Sequence, residues 1–235
     1  MNLADLLRTD SGVLSVVGSG GKSTLVNELA RELGCTVVIA TSTHMLAPEG
    51  CPLLLDPTEL DVEQALWYTR VVCVGTRAPG AEGDAGKLCA PSLGFGTLSV
   101  LADRVLVEAD GARRLPHKAH AAHEPVVPAE SSQTIQVVGA SGFGGRVGEV
   151  VHRPELMCAA VGCSASDECT PELYARFVAN EHAAGVVHAD NIVVNQADDQ
   201  AGIELAVRFA AELRACGDET PVTAGSVREH RLELV

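Results

Sequence analysis

Residues Val13 to Leu25 read VLSVVGSGGKSTL, an apolar β-branched run followed by a glycine turn and the start of a helical pattern. A strand that leads through glycines into a helix directs backbone N–H groups and the positive end of the helix dipole towards one point. A phosphate can bind there. The stretch therefore predicts a nucleoside triphosphate site. The residues expected around its phosphates are Gly18, Ser19, Gly20, Gly21, Lys22, Ser23 and Thr24.

Two side chains of this stretch have specific predicted roles. Lys22 is expected to contact the β- and γ-phosphates and to act in catalysis, and Ser23 to ligate Mg²⁺ through its hydroxyl. The full pattern G-x-x-x-x-G-K-[ST] is incomplete, because Val16 stands at the position of its first glycine. Counting from Gly18 gives the shorter G-x-x-G-K-S, which resembles the ATP-binding loop of Mur-type peptide ligases as much as that of GTPases. The loop does not decide whether the nucleotide is ATP or GTP. A plain glycine-rich turn without a ligand is the alternative.

Length and composition predict one α/β domain over residues 1–235, with small insertions around 78–100 and 141–185, since 235 residues with 46% hydrophobic content can bury a substantial core. The net charge of −14 argues against a nucleic-acid partner, because such binding depends on lysine and arginine. The chain has three lysines, at positions 22, 87 and 118. It has no long apolar run, and it opens on MNLADLLRTDSG rather than on a basic leader. We therefore expect a cytoplasmic protein with no membrane partner.

Short apolar runs alternate with helical patterns along the chain, which predicts a mostly parallel sheet covered by helices. With the glycine loop, this indicates the three-layer fold of P-loop NTPases. After the first strand, strands are expected at Cys35–Ala40, Val71–Gly75, Arg104–Val107, Thr134–Val138 and Ile192–Val194. Helices are expected at Ser23–Leu33, Pro57–Trp67, Pro154–Val161, Pro171–Glu181 and Gly202–Cys216, and a long loop at Ala78–Gly96 that could cover a site.

Polar residues follow several of these strands, where open parallel sheets bind their ligands. The second strand leads into Thr-Ser-Thr-His, in which Thr43 is a candidate Mg²⁺ ligand and His44 a candidate acid or base. An ordinary polar turn is the alternative.

The stretch VLVEADGARR, residues 105–114, runs from an apolar strand into two carboxylates. Glu108 and Asp110 lie on the same side of an extended chain, so both can face one phosphate site. We assign Asp110 to the Mg²⁺ side and Glu108 to orienting water or substrate, although the residues also allow the reverse. Arg113, Arg114 and Lys118 follow and could receive an anionic substrate or stabilise charge in a transition state.

Two further patterns concern ligands. His117, His120 and His123 form H-x-x-H-x-x-H, which could bind a transition metal if the segment were helical, but a loop would leave the geometry undefined. The sequence Asn195-Gln196-Ala197-Asp198 resembles the guanine-reading N-K-x-D element with glutamine in place of lysine. Asn195 and Asp198 are therefore predicted to receive the base, and Asp198 to accept from guanine.

Several blocks together resemble a known family. They are VVGSGGKSTL, ATSTHM, GKLCAPS, DRVLVEADGARRLPHKAHAAHEPVVP, VHRPE and VVNQAD, in this order. In order and spacing they resemble the YqeC family of selenium-dependent hydroxylase accessory proteins. The resemblance implies a P-loop nucleotide-binding protein that helps mature a molybdenum hydroxylase, through cofactor modification or insertion. The hydroxylase or its cofactor would then be a partner.

Three functions remain open on the sequence. The first is a Mg²⁺-dependent GTPase or ATPase that assists maturation of a selenium-dependent molybdenum hydroxylase. The second is a small-molecule kinase, ligase or nucleotidyl transferase, which the short Mur-like loop and the basic cluster favour. The third is a metallochaperone that uses the histidine run.

Overall fold

The computed structural model describes residues 3–6, 11–78 and 87–235. Its strands are β1 (Gly12–Gly18), β2 (Val37–Thr41), β3 (His44–Leu46), β4 (Leu53–Leu55), β5 (Val71–Arg77), β6 (Lys87–Cys89), β7 (Arg104–Glu108), β8 (His117–Lys118), β9 (Ser131–Gly139), β10 (Val151–His152), β11 (Asn191–Asn195), β12 (Val222–Ser226) and β13 (Arg231–Leu234). Its helices are α1 (Lys22–Glu32), α2 (Glu59–Thr69), α3 (Phe95–Leu101), α4 (Val147–Val150), α5 (Pro154–Val161), α6 (Pro171–Ala183) and α7 (Gln200–Ala215), with short 3₁₀ turns at Leu3–Leu6 and Ala140–Gly142.

The central sheet has eleven strands within the described residues, in the order β13-β12-β11-β9-β1-β7-β2-β5-β6-β3, with β4 also paired to β5. The neighbours from β12 to β5 are all parallel. Antiparallel pairing is confined to β13, β6 and β3 at the margins. A separate parallel pair joins β8 and β10. The predicted α/β fold with a mostly parallel sheet is confirmed.

Helices cover both faces of this sheet because successive strand residues point to opposite sides. Leu14 of β1 belongs to the same buried cluster as Leu25 of α1. Val13, its neighbour in β1, packs on the other face in the cluster that contains Leu98 of α3. On that second face, α6 and α7 cover the half of the sheet formed by β9, β11 and β12. The result is three layers, with the start of α1 next to the central strand.

Several boundaries differ from the sequence predictions. The second helix runs from Glu59 to Thr69 rather than from Pro57 to Trp67, because Thr58 caps its start in a reciprocal box with Asp61. Arg70 then ends it in a left-handed conformation. The second strand starts two residues later than predicted, and β12 and the edge strand β13 were not predicted.

The predicted loop over residues 78–96 is partly wrong. Its residues 79–86 lie outside the described residues, but residues 87–89 form β6, which pairs with both β5 and β3. The helix α3 then begins at Phe95. Of the two predicted insertions, 78–100 contains β6 and most of α3, and 141–185 contains α4, β10, α5 and α6.

Among the helices of the described ranges, none combines the length and apolar character needed to cross a membrane.

Candidate functional site

A cleft of about 1180 Å³ lies at the carboxyl ends of β1 and β7, beside the start of α1. It is lined by residues 19–24, 44–46, 87, 108, 110–116, 124, 141, 152–155 and 196. Most of the sequence-predicted site residues are therefore brought together in one place. We call Gly18–Gly21 the glycine loop and the three cleft-lining arginines, Arg113, Arg114 and Arg153, the arginine group.

The glycine loop is tightly held, which explains its composition. Gly20 has a φ of +88°, and a Cβ there would lie 2.3 Å from the Cα of Gly139. Gly21 has a φ of +123°, and its Cβ would lie 2.2 Å from Asn195 Nδ2. Any L side chain at these positions would be strained and would clash. The Asn195 amide donates to the carbonyl of Gly20 over 2.9 Å, so the end of β11 fixes the loop.

The start of α1 offers free backbone donors to the cleft. Gly21 is its N-cap residue, and within the described part of the chain no side chain caps its first turn, which also contains no acidic residue. The first N–H groups of a helix have no partner inside the helix, and they bear the positive end of its dipole. Ser23 and Thr24 line the cleft at this point. A helix terminus of this kind can bind an anion.

Asp110 is a buried carboxylate that joins several elements. Its Oδ1 lies 3.0 Å from Lys22 Nζ, and its Oδ2 lies 3.2 Å from Lys118 Nζ and 2.9 Å from His120 Nε2. The backbone N–H of Gly18 also donates to Oδ2 over 2.8 Å. Burial raises the pKa of Asp110, but Lys22, His120 and Lys118 together lower it below its usual range. The carboxylate is therefore ionised and already engaged by protein groups, unlike the open Mg²⁺ ligand expected from the sequence.

Glu108 lies in different surroundings, two residues earlier. It is buried and lines the cleft, and its Oε1 has no hydrogen-bond partner within the described ranges. Burial raises the pKa of Glu108 more than Lys22 and a hydrogen bond with Ser23 lower it. The Thr43 hydroxyl is likewise buried without a hydrogen-bond partner. Unpartnered carboxylate and hydroxyl oxygens are donors that suit Mg²⁺.

Lys22 is folded over the glycine loop. Its ammonium group donates to the carbonyl of Gly18 over 2.8 Å and pairs with Asp110, and its side chain is almost fully buried. His44, the predicted acid or base, is exposed at the start of β3 and lines the same cleft.

Lys118 was predicted to bind substrate, but it lies below the cleft surface. Its side chain is fully buried, and Nζ lies 2.6 Å from the carbonyl of Gly111, 3.2 Å from Asp110 and 3.0 Å from Glu124. An ammonium group has three protons, so these partners use all of them. Lys118 supports the cleft from beneath, whereas Arg113 and Arg114 are exposed and line it.

The histidine run does not form the predicted metal site. His117 stacks on Tyr174 with ring centroids 4.0 Å apart, and its Nδ1 lies 3.3 Å from Cys169 Sγ. Burial lowers the pKa of His117 to about 3, so the ring is neutral. Tyr174 in turn donates to the carbonyl of Lys118 and accepts from its N–H. His117 is part of the core beside α6.

His120 and His123 lie elsewhere. His120 is buried between Asp110 and Glu181, with Nδ1 3.0 Å from Glu181 Oε2, whereas His123 is exposed. The first two imidazoles belong to β8 and an irregular segment rather than to a helix, so the i, i+3 spacing does not align them. Across the described residues, no group of three or more His, Cys, Asp or Glu side chains could hold a metal. The described residues therefore give no support to the metal site that the sequence left open for this run.

The residues of the Asn195–Asp198 motif, at the carboxyl end of β11, lie in two different places. Asn195 is buried and contacts the glycine loop, and Gln196 lines the cleft, where the Ser141 hydroxyl donates to its Oε1 over 2.6 Å. Asp198 is exposed and lines a second cavity, of about 460 Å³, together with Arg231. The structure therefore does not bring Asp198 to the cleft.

Several cleft residues were missed by motif reasoning: Glu124, Ser141, His152 and Arg153. Glu124 accepts from the Arg153 guanidinium and from Lys118. Lys87, one of the three lysines of the chain, also lines the cleft. No spacing rule links Glu124 to Arg153, because their contact depends on the pairing of β8 with β10.

The fold and this site define an α/β protein with a mostly parallel sheet and a charged cleft where the central strand passes through a glycine loop into a helix. The chain belongs to the YqeC family, whose family model, described as YqeC protein, matches residues 14–155. It is 35% identical over 155 residues to a curated protein of Escherichia coli strain K12 described as "Uncharacterized protein YqeC". That similarity covers 60% of this chain and 57% of the relative, so it spans little more than half of the relative's length.

Proposed function

We propose that this protein binds a Mg²⁺-nucleoside triphosphate in the cleft, hydrolyses it or transfers a group from it, and assists maturation of a molybdenum hydroxylase. The observation that carries the nucleotide assignment is the uncapped start of α1 beside the glycine loop and Lys22, open to a cleft of about 1180 Å³. Backbone N–H groups, a helix dipole and an ammonium group together match a polyphosphate. The maturation role is what family resemblance suggests.

The phosphates are assigned to the glycine loop, residues 18–21, and to Lys22, Ser23 and Thr24. Lys22 would bring its charge to the β- and γ-phosphates, while Asp110 holds that ammonium group close to the loop. Asp110 is in this proposal a positioning residue, since its oxygens contact Lys22, Lys118, His120 and the backbone of Gly18.

Mg²⁺ is assigned to Ser23 and Glu108, and Thr43, which is not among the residues that line the cleft, stays a candidate ligand. Glu108 and Thr43 provide the unpartnered oxygens described above. Glu108 rather than Asp110 takes the Mg²⁺ side because each Asp110 oxygen already lies close to a lysine ammonium group. When bound, the ion would neutralise charge on the phosphates. His44 stays a candidate acid or base, because it is exposed in the same cleft.

Calorimetric titration with Mg²⁺ and non-hydrolysable analogues of ATP and GTP tests the core of the proposal. We expect the wild type to bind at least one analogue and Lys22→Ala to bind it about 10- to 150-fold more weakly, since hydrogen bonds to charged groups contribute about 1.5–3 kcal/mol. Arg31→Ala is the matched control, because Arg31 is an exposed cation of the same helix that pairs with Glu28. No binding by the wild type, or equal binding by Lys22→Ala, would overturn the assignment.

The same titration tests how the base is read. Gln196 and Ser141 line the cleft and are the polar groups that we assign to the base, whereas Asp198 lies in the second cavity. Asp198→Ala should therefore change the affinity for either analogue less than about twofold, a loss well below one hydrogen bond. A selective tenfold loss for GTP would restore guanine recognition by Asp198.

The hydrolytic and maturation parts have a separate readout. Phosphate release by the protein alone should be slow and should rise when a molybdenum hydroxylase apoenzyme is added. A rise that needs a small anionic acceptor instead would favour the transferase, which the arginine group in the cleft supports.

A further inference from the structure

We infer that the cleft contains a second anion subsite, formed by Arg113, Arg114 and Arg153 beside His152, which binds the phosphate group of a small molecule next to the nucleotide. The inference deepens the proposed function by naming a second ligand of the same cleft. Binding at this subsite can nevertheless be tested without the nucleotide.

Two of the arginines have no protein partner. Within the described residues, no hydrogen bond or ion pair involves the guanidinium group of Arg113 or that of Arg114, although the chain has 31 acidic residues and 17 lysines and arginines. Both side chains are exposed and both line the cleft. Unpaired neighbouring cations repel each other, and an anion placed between them removes that repulsion.

The third arginine is held in place. Arg153 donates through Nη1 to Glu124, whose Oε2 also lies 3.0 Å from Lys118 Nζ. Among the described residues, Glu124 is the one hydrogen-bond partner of this guanidinium group, which lines the cleft and has further N–H donors. Arg153 is thus oriented before any ligand arrives, which reduces the entropy lost on binding.

The fields of these groups converge on one side chain. His152 lines the cleft next to Arg153, and burial, Arg153, Lys118 and Arg113 lower its pKa. Arg113, His152 and Arg153 line the same cleft, so both guanidinium groups border one space. Arg153 is already paired with Glu124, but the two unpaired guanidinium charges of Arg113 and Arg114 still exceed what one carboxylate would balance, which favours a dianionic phosphate group.

The cleft has room for this second ligand. Its volume of about 1180 Å³ is above the range of about 300–1,000 Å³ that is usual for a site holding one small molecule. The phosphate loop and the arginine group are also linked by consecutive contacts, from Lys22 to Asp110, Lys118, Glu124 and Arg153. The two subsites therefore share one network of charges.

The probe is inorganic phosphate, titrated by calorimetry into the protein saturated with Mg²⁺ and the non-hydrolysable nucleotide analogue that binds it. In parallel, phosphate is titrated into nucleotide-free Lys22→Ala, in which the glycine loop lacks its cation. We expect phosphate to bind in both samples, and Arg113→Gln and Arg153→Gln each to weaken it about tenfold through loss of a charge-assisted hydrogen bond. Because Arg113 is exposed on a loop, its variant keeps the test valid if Arg153→Gln fails to fold.

Arg208→Gln is the matched control, since Arg208 is also paired with a glutamate, Glu172, but lies outside the cleft. It should leave phosphate affinity unchanged. Equal weakening by the control, or no effect of Arg113→Gln, would overturn the subsite, as would an absence of phosphate binding in both samples. Acetate as a second probe should bind about tenfold more weakly than phosphate, and equal binding would overturn the assignment to a phosphate group. Absence of nucleotide binding with phosphate still bound to Lys22→Ala would remove the proposed function and leave the subsite standing.

Discussion

The carboxyl ends of β7 and β11 lie at the same edge of the sheet, yet their acidic residues have opposite surroundings. After β7, Asp110 is 1% exposed and contacts two lysines, a histidine and a backbone N–H group. After β11, Asp198 is exposed, and it is its backbone carbonyl that accepts from Arg231. Only the first acid determines how neighbouring elements are arranged. A carboxylate at a strand end thus becomes part of a site when other segments supply buried cations to it.

The sharpest test of this difference replaces the two aspartates in the same way. Asp110→Asn should lower the free energy of unfolding by about 3–5 kcal/mol, because it leaves the buried charge of Lys22 without its counterion and removes one of the two carboxylates that contact Lys118. Asp198→Asn should change it by less than about 0.5 kcal/mol, as is usual for exposed sites. Urea unfolding followed by circular dichroism measures both. Similar values for the two variants would contradict the distinction drawn here.

A second test compares neighbours within the β11 end. Asn195 donates to Gly20 and accepts from the N–H of Val227, so Asn195→Ala should cost about 1–3 kcal/mol for each backbone group left unsatisfied. Gln196→Ala should cost less than about 0.5 kcal/mol because Gln196 is exposed. Equilibrium unfolding of both variants is the measurement. If the two costs were equal, the glycine loop would not depend on Asn195.

The smallest expected effect is a pH dependence of the free energy of unfolding, caused by His120 beside Asp110. Burial lowers the pKa of His120, but Asp110 and Glu181 raise it above the usual 6.5. The folded state therefore holds this proton more tightly than the unfolded chain does. Its contribution is fully present below pH 6.5 and is lost as pH rises through the folded-state pKa.

Unfolding free energies measured between about pH 5 and 9 check that sign. The wild type should lose its advantage over His120→Gln as pH rises above 6.5, whereas its difference from Asp198→Asn should stay constant. An advantage over His120→Gln that grows with pH would show that the ring is neutral between its two carboxylates.

Local signals in the sequence were sufficient for part of this structure. The α5 bounds agree with the prediction because Pro154 begins the helix and Gly162 ends it in a left-handed conformation. The glycine loop, β1 and α1 also follow from local pattern. By contrast, α3 begins directly after Gly94 in a glycine-rich stretch that reads as loop, and β13 is a short edge strand specified by its pairing with β12.

The site itself depended more on contacts between distant segments. The residue types and strand ends were sufficient to bring Lys22, Glu108 and Asp110 into one cleft. The sequence could not predict which of the two carboxylates would be engaged by protein cations. Asp110 contacts Lys118 and His120, and both come from a segment whose extended backbone no local pattern specified. The same backbone turns the histidines away from one another, and it places Lys118 beneath the cleft rather than in it.

The family match ends at residue 155, and this position separates the residues that line the cleft from several residues that hold them in place. Apart from Gln196, all cleft-lining residues come before that boundary, whereas several groups that hold them come after it. Tyr174 fixes the backbone of Lys118, Glu181 fixes His120, and Asn195 fixes Gly20. A fragment ending at residue 155 would therefore contain nearly the whole lining of the cleft but not the residues that hold it in place. Transplanting the first part onto another protein would also require equivalents of α6 and β11.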